Sequence, residues 1–347
     1  MALLNKLNKE DVKRYDEFVR NSEFRSVTQD RLWSKVKDDW GNEHVYLEKN
    51  GEIVAAISIL IKRLPGGFSV LYAPRGPVCD VSDIKLVQAL LKEVDVVAKK
   101  NKAIMLKFDP EVSYSDELYN LYEANGFSLI SKDDDQDKLI QPRLNMILHL
   151  EDHDEESIMM KFSKRCRSSI RGSARKGVEV RYSRSDEDIE ILHDAYMTMA
   201  ARNKISTRSI EYFKLLRDTY GEDLRIYIAS HEDDILAAGL TINYYGKLYF
   251  LYAGSTNIKR NLNPNHLMNY EMIKWGIEAG AQQYDFGGVF ELSNNDGLYL
   301  FKKSFCDKDE PAQYIGEINK VYKPFMYRVL ESFIPKVQNL RKKLRRG

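Results

Sequence analysis

The sequence predicts a two-domain α/β protein with mixed sheets, in which the second domain repeats the first. Val45–Ala56 returns as Ile226–Ala238 with a turn one residue longer, and Leu71-Tyr72-Ala73-Pro74 returns as Leu251-Tyr252-Ala253-Gly254. Each copy continues with a helix-length segment and a strand that ends in an acid, Lys107-Phe108-Asp109 and Gln283-Tyr284-Asp285. A spacing of about 180 residues indicates one duplication rather than a solenoid. We therefore expect two similar halves with a ligand-binding cleft between them.

Composition supports this division and limits the classes of function. A chain of 347 residues suits two domains better than one. We expect domain 1 to span residues 1–146 and domain 2 residues 147–317, with segment 318–347 packing back on domain 1. The net charge of +1 is an average over strongly segregated local charges, so it indicates little about partners.

Cysteines, histidines and apolar runs predict a cytoplasmic protein without a metal centre. Cys79, Cys166 and Cys306 lack the spacing of a disulfide framework or a metal site, which favours a reducing compartment. The six histidines sit near no cysteine cluster, so we expect no metal. The N-terminus lacks a signal-peptide core, and no apolar run approaches the roughly 18 residues of a membrane span.

Periodicity predicts the elements of the first half in order. Amphipathic spacing indicates helices over 9–22 and over Thr28–Trp40, with Thr28 as N-cap and Gly41 just beyond the end. The hairpin, third strand, long helix, buried strand, short helix and connecting strand follow at 45–60, 68–72, 82–100, 103–108, 114–125 and 143–150. The acidic run 133–137 predicts an exposed loop.

The second half begins with an acidic cap, 151–156, and a strongly basic helix over 158–176. The remaining predicted elements are a strand at 178–182, helices at 187–203 and 209–219, a hairpin at 224–253, a helix at 265–278, a strand at 283–286, a short helix at 297–304 and a strand at 313–321. Residues 323–347 are predicted as a basic helix.

A hairpin, a third strand, a crossing helix and a fourth strand form the pattern of acetyltransferase-like (GNAT-like) domains. Such domains normally hold acyl-CoA on a Q/R-x-x-G-x-G/A turn whose backbone N–H groups bind pyrophosphate. The nearest segments, Arg75-Gly76-Pro77 and Arg171-Gly172-Ser173, lack this spacing. We therefore expect two acetyltransferase-like domains that use no acyl-CoA and no other cofactor.

Six segments in one order carry a resemblance to a known family. They are Val27–Asp30, Lys107–Val112, Ile140–Met146, Tyr252–Ser255, Tyr284–Gly288 and Leu298–Lys302. The whole chain resembles the FemABX peptidyltransferases, most closely the compact FemX type. The resemblance implies two acetyltransferase-like domains and transfer of an amino acid from aminoacyl-tRNA to the lysine side chain of the peptidoglycan stem peptide. Larger members carry a coiled-coil arm, for which Leu150 to Val178 leaves no room here.

Lys37 and Arg208 are candidate ligands of a diphosphate. Trp33, Lys37 and Trp40 share a face of the predicted helix, which equally suits a lysine stem that covers apolar surface. Arg208 precedes a helix capped by Ser209, where an anion is favoured, although a salt bridge to Glu211 is an alternative. The resemblance implies that both bind the diphosphate of a UDP-linked acceptor. The further acceptor-binding residues that we expect are Ser206, Tyr212 and Tyr252.

Asp109, Lys302 and Phe301 are candidates for the transfer step. Asp109 closes a strand before Pro110 and would orient the attacking amine or accept its proton, with a turn-capping aspartate as the alternative. The resemblance implies that Lys302 stabilises the tetrahedral oxyanion and that Phe301 stacks on the terminal adenine of the tRNA. Without the resemblance, this pair on a short helix would be one core and one solvent residue.

A run without acids in the second half predicts a polyanion-binding surface. Its candidate tRNA ligands are Lys161, Lys164, Arg165, Arg167 and Arg171, followed by Arg175 and Lys176. The resemblance assigns acceptor binding to domain 1 and aminoacyl-tRNA binding to domain 2. The tail Lys336–Arg346 has six basic residues and a small apolar face, which suits a membrane surface, internal packing or a second tRNA contact.

The sequence thus predicts a monomeric, tRNA-dependent aminoacyltransferase of peptidoglycan interpeptide-bridge synthesis. We expect UDP-MurNAc-pentapeptide as acceptor and alanine or serine as the transferred amino acid. Three alternatives remain open: the same transfer onto lipid II, a CoA-dependent N-acyltransferase, and an RNA-binding module that uses the basic run.

Overall fold

The computed structural model describes residues 3–134 and 136–331 and has a mixed α/β fold. Up to residue 143 the elements are α1 Lys9–Asn21, α2 Trp33–Val36, β1 Gly41–Lys49, β2 Glu52–Arg63, β3 Ser69–Ala73, α3 Ile84–Lys100, β4 Ala103–Phe108, α4 Asp116–Ala124 and β5 Ser128–Ile130. The predicted tail Lys336–Arg346 lies outside the described residues.

The elements that follow residue 143 are β6 Leu144–His149, α5 Glu155–Met159, α6 Lys164–Arg175, β7 Glu179–Ser183, α7 Asp186–Asn203, α8 Ile210–Tyr220, β8 Leu224–His231, β9 Asp234–Tyr244, β10 Lys247–Ser255, α9 Pro264–Glu278, β11 Gln283–Val289, α10 Gly297–Phe305, β12 Ala312–Gln313 and β13 Glu317–Val321. Residues 324–331 are helical.

The chain folds into two compact units, the second inserted in the chain of the first. The first comprises residues 3–143 and the described residues from 313 onward, and the second comprises residues 144–312. The first unit's sheet has the order β1-β2-β3-β4-β13-β5. Strand β13 lies antiparallel to both β4 and β5, so a strand from the end of the described chain completes this sheet.

The two units repeat one topology. Strands β1 to β4 are neighbours in chain order, joined antiparallel, antiparallel and parallel. Strands β8 to β11 repeat that order and those directions in the second sheet, which continues from β11 to β6 and from β8 to β7. A long helix, α3 or α9, precedes the parallel strand in each case. This shared topology confirms the predicted duplication.

The parallel strand pairs differ in register between the units. In the first, Tyr72 lies opposite Lys107. The sequence repeat would place Tyr252 opposite Gln283, but Gln283 lies opposite Lys247. Strand β11 is therefore shifted by five residues along β10 relative to the equivalent pair in the first unit.

The prediction that both copies of the fourth strand end in an acid is wrong for the second copy. Asp109 directly follows β4, which ends at Phe108. Asp285 is the third residue of β11, which continues to Val289. The two acids therefore occupy different places in their sheets.

Each unit has its own apolar core. In the first, side chains of β2, β3 and β4 pack against α3 and α4, with Phe108 and Tyr122 among the fully buried rings. In the second, β6 and β8 to β11 pack against α6, α9 and α10 around Phe162, Phe286 and Phe305. Helix α7 packs against β8, β9 and β10.

Only α2 forms where the sequence predicts a helix from Thr28 to Trp40. The buried Gln29 amide bonds to the backbone N–H and C=O of Ser58 and to the carbonyl of Pro74. The Thr28 hydroxyl also donates to the Pro74 carbonyl, so it does not cap a helix. The predicted helix is wrong in extent because these side-chain bonds hold the segment against β2 and the end of β3.

The predicted helix over 158–176 is also wrong, because it consists of α5 and α6 with a break between them. Ser163 begins α6 as its N-cap, and its hydroxyl accepts from the Cys166 N–H. The Ser163 N–H donates to the carbonyl of Ser304, which fixes the break against α10. The predicted strand over 313–321 is likewise two strands, β12 and β13.

Strand β10 and helix α7 approach closely at Gly254. A Cβ atom at this position would lie 2.1 Å from the backbone of both Ala195 and Tyr196. Both are backbone contacts, so a rotamer change cannot relieve them. A Cβ atom at Gly172 in α6 would meet nothing within 4 Å.

Gly254→Ala should therefore force α7 away from the sheet. We expect a loss of about 3 kcal/mol, which lowers the melting temperature in circular dichroism by roughly 6–12 °C. The matched control Gly172→Ala should instead add about 0.5–1 kcal/mol, because alanine favours a helix interior. A Gly254→Ala variant that melts with the wild type would contradict the close approach.

Candidate active site

Asp109 is a buried carboxylate with two donors. It is 2% exposed, its Oδ2 accepts from the Tyr72 hydroxyl at 2.8 Å, and its Oδ1 accepts from the Arg75 N–H at 2.6 Å. Burial raises the pKa of this carboxyl to about 7, while the nearby Arg75 guanidinium opposes the rise. The Tyr72 hydroxyl therefore helps to hold Asp109 in this position.

Arg75 is a residue that the sequence does not single out. Its φ of 55° turns the backbone so that its N–H points at Asp109. The guanidinium lies 5.0 Å from the centre of the Tyr314 ring and donates to the carbonyl of Pro142 at 3.0 Å. One feature of the sequence could have identified Arg75: it directly follows Leu71-Tyr72-Ala73-Pro74, the segment that is repeated in the second half.

Lys37 follows α2 instead of lying on a long helix. It is half-buried, and its Nζ lies 5.3 Å from the centre of the Trp33 ring. The Trp40 ring contacts the Nζ of Lys62 at 4.9 Å. The predicted shared face of Trp33, Lys37 and Trp40 is wrong because the helix ends at Val36.

Arg208, Tyr212 and Tyr252 come together in the second unit. The Arg208 guanidinium lies 5.2 Å from the centre of the Tyr212 ring, and the hydroxyls of Tyr212 and Tyr252 are 3.0 Å apart. Ser209 caps α8 as predicted, which leaves Arg208 at the entrance of that helix. Ser206 joins the group through its carbonyl, which accepts from the Tyr196 hydroxyl at 3.1 Å.

Lys302 is a buried lysine on α10. It is 7% exposed, and its Nζ donates to the carbonyl of Gly288 on β11 at 2.8 Å. Burial lowers the pKa of this ammonium to about 8, and the nearby Asp285 carboxylate opposes the fall. Lys302 therefore stays protonated at neutral pH while it lies out of contact with most of the solvent.

Phe301 points to another side of α10, into a groove of about 600 Å³. Its ring lies 5.0 Å from the His266 ring and 5.5 Å from the Phe305 ring, both edge to face. Burial lowers the pKa of His266 to about 4, so its imidazole is neutral. The other groove residues, from α6, the start of α9 and the approach to α10, include Ser163, Arg165, Ser169, Asn263 and Asn294.

The predicted tRNA ligands on and before α6 divide into two groups. Lys164, Arg165 and Arg171 are exposed. Lys161 pairs with Asp309 at 2.7 Å, and Arg167 donates to the carbonyl of Phe162 at 2.5 Å. The last two therefore serve the fold of the second unit. Arg165 is the member that shares the groove with Phe301.

Within residues 3–134 and 136–331, no three His, Cys, Asp or Glu side chains are grouped so that they could hold a metal ion. None of the helices in that part of the chain combines the length and the apolar content that a membrane span requires.

The raised pKa of Asp109 predicts a pH-dependent effect of Asp109→Asn on stability. The pKa of this carboxyl is about 7 in the folded protein and 3.8 ordinarily, so its neutral form stabilises the fold. That contribution to stability is complete below pH 3.8 and is lost as the pH rises through 7. An asparagine keeps both hydrogen bonds, with its oxygen towards Arg75 and its amide towards the Tyr72 oxygen. We expect a higher melting temperature than wild type at pH 8 and little change at pH 4.

Asp116→Asn is the matched control for this measurement. Asp116 is exposed, and its pKa is lowered by the hydroxyl of Tyr114 and the ammonium of Lys132. Its replacement should therefore give no gain at pH 8. Equal melting temperatures of wild type and Asp109→Asn at pH 8 would contradict the raised pKa.

Comparison with known proteins shows which family the chain matches. Residues 11–234 and 230–334 match the FemAB family. A relative from Weissella viridescens, UDP-N-acetylmuramoylpentapeptide-lysine N(6)-alanyltransferase, is 38% identical over 333 residues, which are 94% of this chain and 98% of the relative. A lipid II:glycine glycyltransferase from Staphylococcus haemolyticus is 27% identical over 427 aligned positions, with 100% and 99% of the two chains covered.

Solved structures share the fold. The crystal structure of FemX matches with a TM-score of 0.82 at 24% identity, over 92% of this chain and 98% of that one. A tandem GNAT protein from the clavulanic acid biosynthesis pathway matches with a TM-score of 0.57 at 10% identity, over 92% and 97%. The predicted fold of two GNAT-like domains is therefore confirmed. From the family match and the Weissella relative together, this chain belongs to the FemAB family.

Proposed function

We propose that the protein transfers alanine or serine from aminoacyl-tRNA to the lysine side chain of UDP-MurNAc-pentapeptide, in the synthesis of peptidoglycan interpeptide bridges. The observation that carries this proposal is the similarity to the Weissella alanyltransferase along nearly the whole of both chains. The name of that enzyme specifies the UDP-linked acceptor, the lysine and the transferred alanine. Buried Lys302 beside the groove of Phe301 supplies chemistry that suits such a transfer.

The acceptor diphosphate is assigned to two basic residues and their neighbours. Arg208 lies at the N-terminal entrance of α8, where the positive end of the helix dipole favours an anion. Tyr212 and Tyr252 each carry a hydroxyl beside it, and Ser206 lies in the same loop. Lys37 is the other residue assigned to the diphosphate, and its Nζ lies 5.3 Å from the centre of the Trp33 ring.

The transfer requires one bond to form and one to break. The ε-amine of the acceptor lysine loses a proton and forms a C–N bond to the aminoacyl carbon. The ester C–O bond breaks, and the departing ribose oxygen gains a proton. The buried Lys302 ammonium stabilises the oxyanion of the tetrahedral intermediate more than it stabilises the ester. Because the ester is already activated, positioning and this one charge are sufficient without a covalent enzyme intermediate.

Asp109 is assigned to the acceptor amine. Both of its oxygens already accept hydrogen bonds, from Tyr72 and Arg75, which holds the carboxylate in a defined orientation. This favours orientation of the amine over complete proton transfer to Asp109.

The aminoacyl-tRNA end is assigned to the groove of the second unit. The exposed part of the Phe301 ring offers a stacking surface for the terminal adenine. Lys164, Arg165 and Arg171 offer positive charges to phosphates along the acceptor stem. Lys161 and Arg167, although predicted from the sequence, have weaker support because they are engaged within the unit.

Transfer onto lipid II is the second candidate, favoured by the name of the S. haemolyticus relative, a lipid II:glycine glycyltransferase. The alignment with the S. haemolyticus protein runs over 427 positions, more than the 347 residues of this chain, so that relative carries segments with no counterpart here. The Weissella alignment runs over 333 residues without such an excess. This difference favours the UDP-linked acceptor.

Incubation with a charged tRNA pool and UDP-MurNAc-pentapeptide should yield a product heavier by one amino acid residue. Mass spectrometry identifies the added residue, and we expect alanine or serine. A parallel reaction with lipid II in vesicles distinguishes the second candidate, and one with acetyl-CoA tests a CoA-dependent acyltransferase. Ribonuclease treatment of the tRNA pool should abolish the product. A product with acetyl-CoA alone would overturn the proposal.

Variants should separate binding from chemistry in this assay. Lys37→Ala and Arg208→Ala should raise the acceptor KM about tenfold or more with little change in kcat, because each removes a charge-assisted contact to the diphosphate. Lys302→Met should lower kcat by roughly 100-fold, as for the loss of an oxyanion ligand.

The matched controls remove exposed lysines nearby. Lys35→Ala, beside Lys37, and Lys308→Met, just after α10, should both behave as wild type. An unchanged kcat in Lys302→Met would exclude the oxyanion role, and an unchanged KM in Arg208→Ala would exclude Arg208 from the acceptor site.

A further inference from the structure

Three segments of the sequence meet in one buried group of contacts within the second unit. Asn145 lies on β6, Asp285 and Gly288 lie on β11, and Lys302 lies on α10. The proposed function uses Lys302 and leaves the roles of the other residues open.

A bulge in β11 forms the centre of this group. Asp285 lies opposite Ile147 on β6, and Gly288, three residues later, lies opposite Asn145, only two residues away. One extra residue of β11 is therefore accommodated between these pairs, which redirects the strand. The Gly288 carbonyl beyond the bulge accepts from the Nζ of Lys302 at 2.8 Å.

The Asp285 side chain holds the bulge in place. Its Oδ1 accepts from the N–H of Gly287 at 2.7 Å, and Gly287 has a φ of 76°, which residues with side chains rarely adopt. The Nδ2 of Asn145 lies 3.4 Å and 3.3 Å from the two oxygens of Asp285. Asp285 and Asn145 are only 5% and 3% exposed, so loss of the carboxylate would leave buried donors without an acceptor.

The same carboxylate acts on the charge of Lys302. Burial lowers the pKa of Lys302 to about 8, and Asp285 is the strongest of the groups that oppose this fall. The other titratable groups that act on it lie at the two ends of α10: Asp296 and Cys306. Among residues on the elements packed against α10, Asn145 on β6 is uncharged, and Arg165 on α6 faces the groove.

We propose that Asp285, held by Asn145, is a positioning residue for Lys302. Its carboxylate shapes the bulge that presents the Gly288 carbonyl to the ammonium, and its negative charge keeps Lys302 cationic during transfer. This inference rests on the proposed function, because only there does Lys302 act on a substrate. A merely structural Asp285 would affect stability without any coupling to Lys302.

Asp285→Asn tests the proposal, because the amide oxygen still accepts from Gly287 while the charge is lost. We expect the aminoacyl transfer assay, run from pH 6 to 9, to show kcat lowered about fivefold or more at pH 8 and within about twofold of wild type at pH 6. The reason is that loss of a nearby opposite charge lowers an ammonium pKa by roughly one unit or more. Both KM values should stay unchanged.

A double-mutant cycle isolates the coupling. In a Lys302→Met background, Asp285→Asn should cause no further loss of kcat, because the ammonium on which it acts is gone. Asp233→Asn, which removes an exposed charge from the turn between β8 and β9, is the control and should leave the pH profile unchanged. Equal losses at pH 6 and pH 8, or equal losses with and without Lys302, would overturn the proposal.

A spectroscopic measurement separates this inference from the proposed function. NMR of protein carrying 13C-labelled lysine side chains, assigned with Lys302→Met, reports the titration midpoint of Lys302 directly. The titration midpoint of Lys302 should be lower in Asp285→Asn, whether or not the wild-type protein forms a product. An unchanged midpoint would overturn this inference. A wild-type protein that forms no product would overturn only the proposed function. If Asp285→Asn does not fold, Asn145→Leu should give a smaller shift in the same direction, and no shift there would overturn the inference.

Discussion

The pairing of charges away from water is the constraint on which both units depend. A buried carboxylate or ammonium costs several kcal/mol unless hydrogen bonds or an opposite charge satisfy it. In the first unit, Glu317 on β13 is fully buried and accepts from the Nζ of Lys107 on β4 and from the N–H of Ile140. This pairing holds β13 beside β4, the strand that directly precedes Asp109. The Lys107–Glu317 pair therefore supports both Asp109 and the position of β13.

The second unit satisfies its buried charge differently. The Lys302 ammonium donates to the backbone carbonyl of Gly288, and the Asp285 carboxylate accepts from the N–H of Gly287. A backbone carbonyl neutralises less of an ammonium's charge than a carboxylate does. This arrangement suits the oxyanion role that we propose for Lys302.

The duplication and most elements could be predicted from the sequence because apolar periodicity and repeated segments are local signals. The extent of the helix around Lys37 could not be predicted from the sequence, because it depends on hydrogen bonds from the buried Gln29 amide to residues that are distant in sequence. The same holds for Lys161, whose partner Asp309 lies 148 residues away. The register of β11 also depends on contacts between strands, which a repeat in the sequence does not encode. Arg75 and Asp285 were missed because their roles arise from a turn and a bulge.

The insertion of the second unit into the chain of the first has a consequence for synthesis on the ribosome. The second unit consists of residues 144–312 and includes no strand of the first sheet. The ribosome has therefore made the whole of this unit before it makes β13. Among the described strands, β13 is the one that joins β5 to the first sheet, so this sheet remains divided until β13 is made. Domains usually fold in order from the N-terminus during translation. In this chain, the second unit has all of its described strands before the first unit does. The edge of β4 stays without a neighbouring strand until β13 is made.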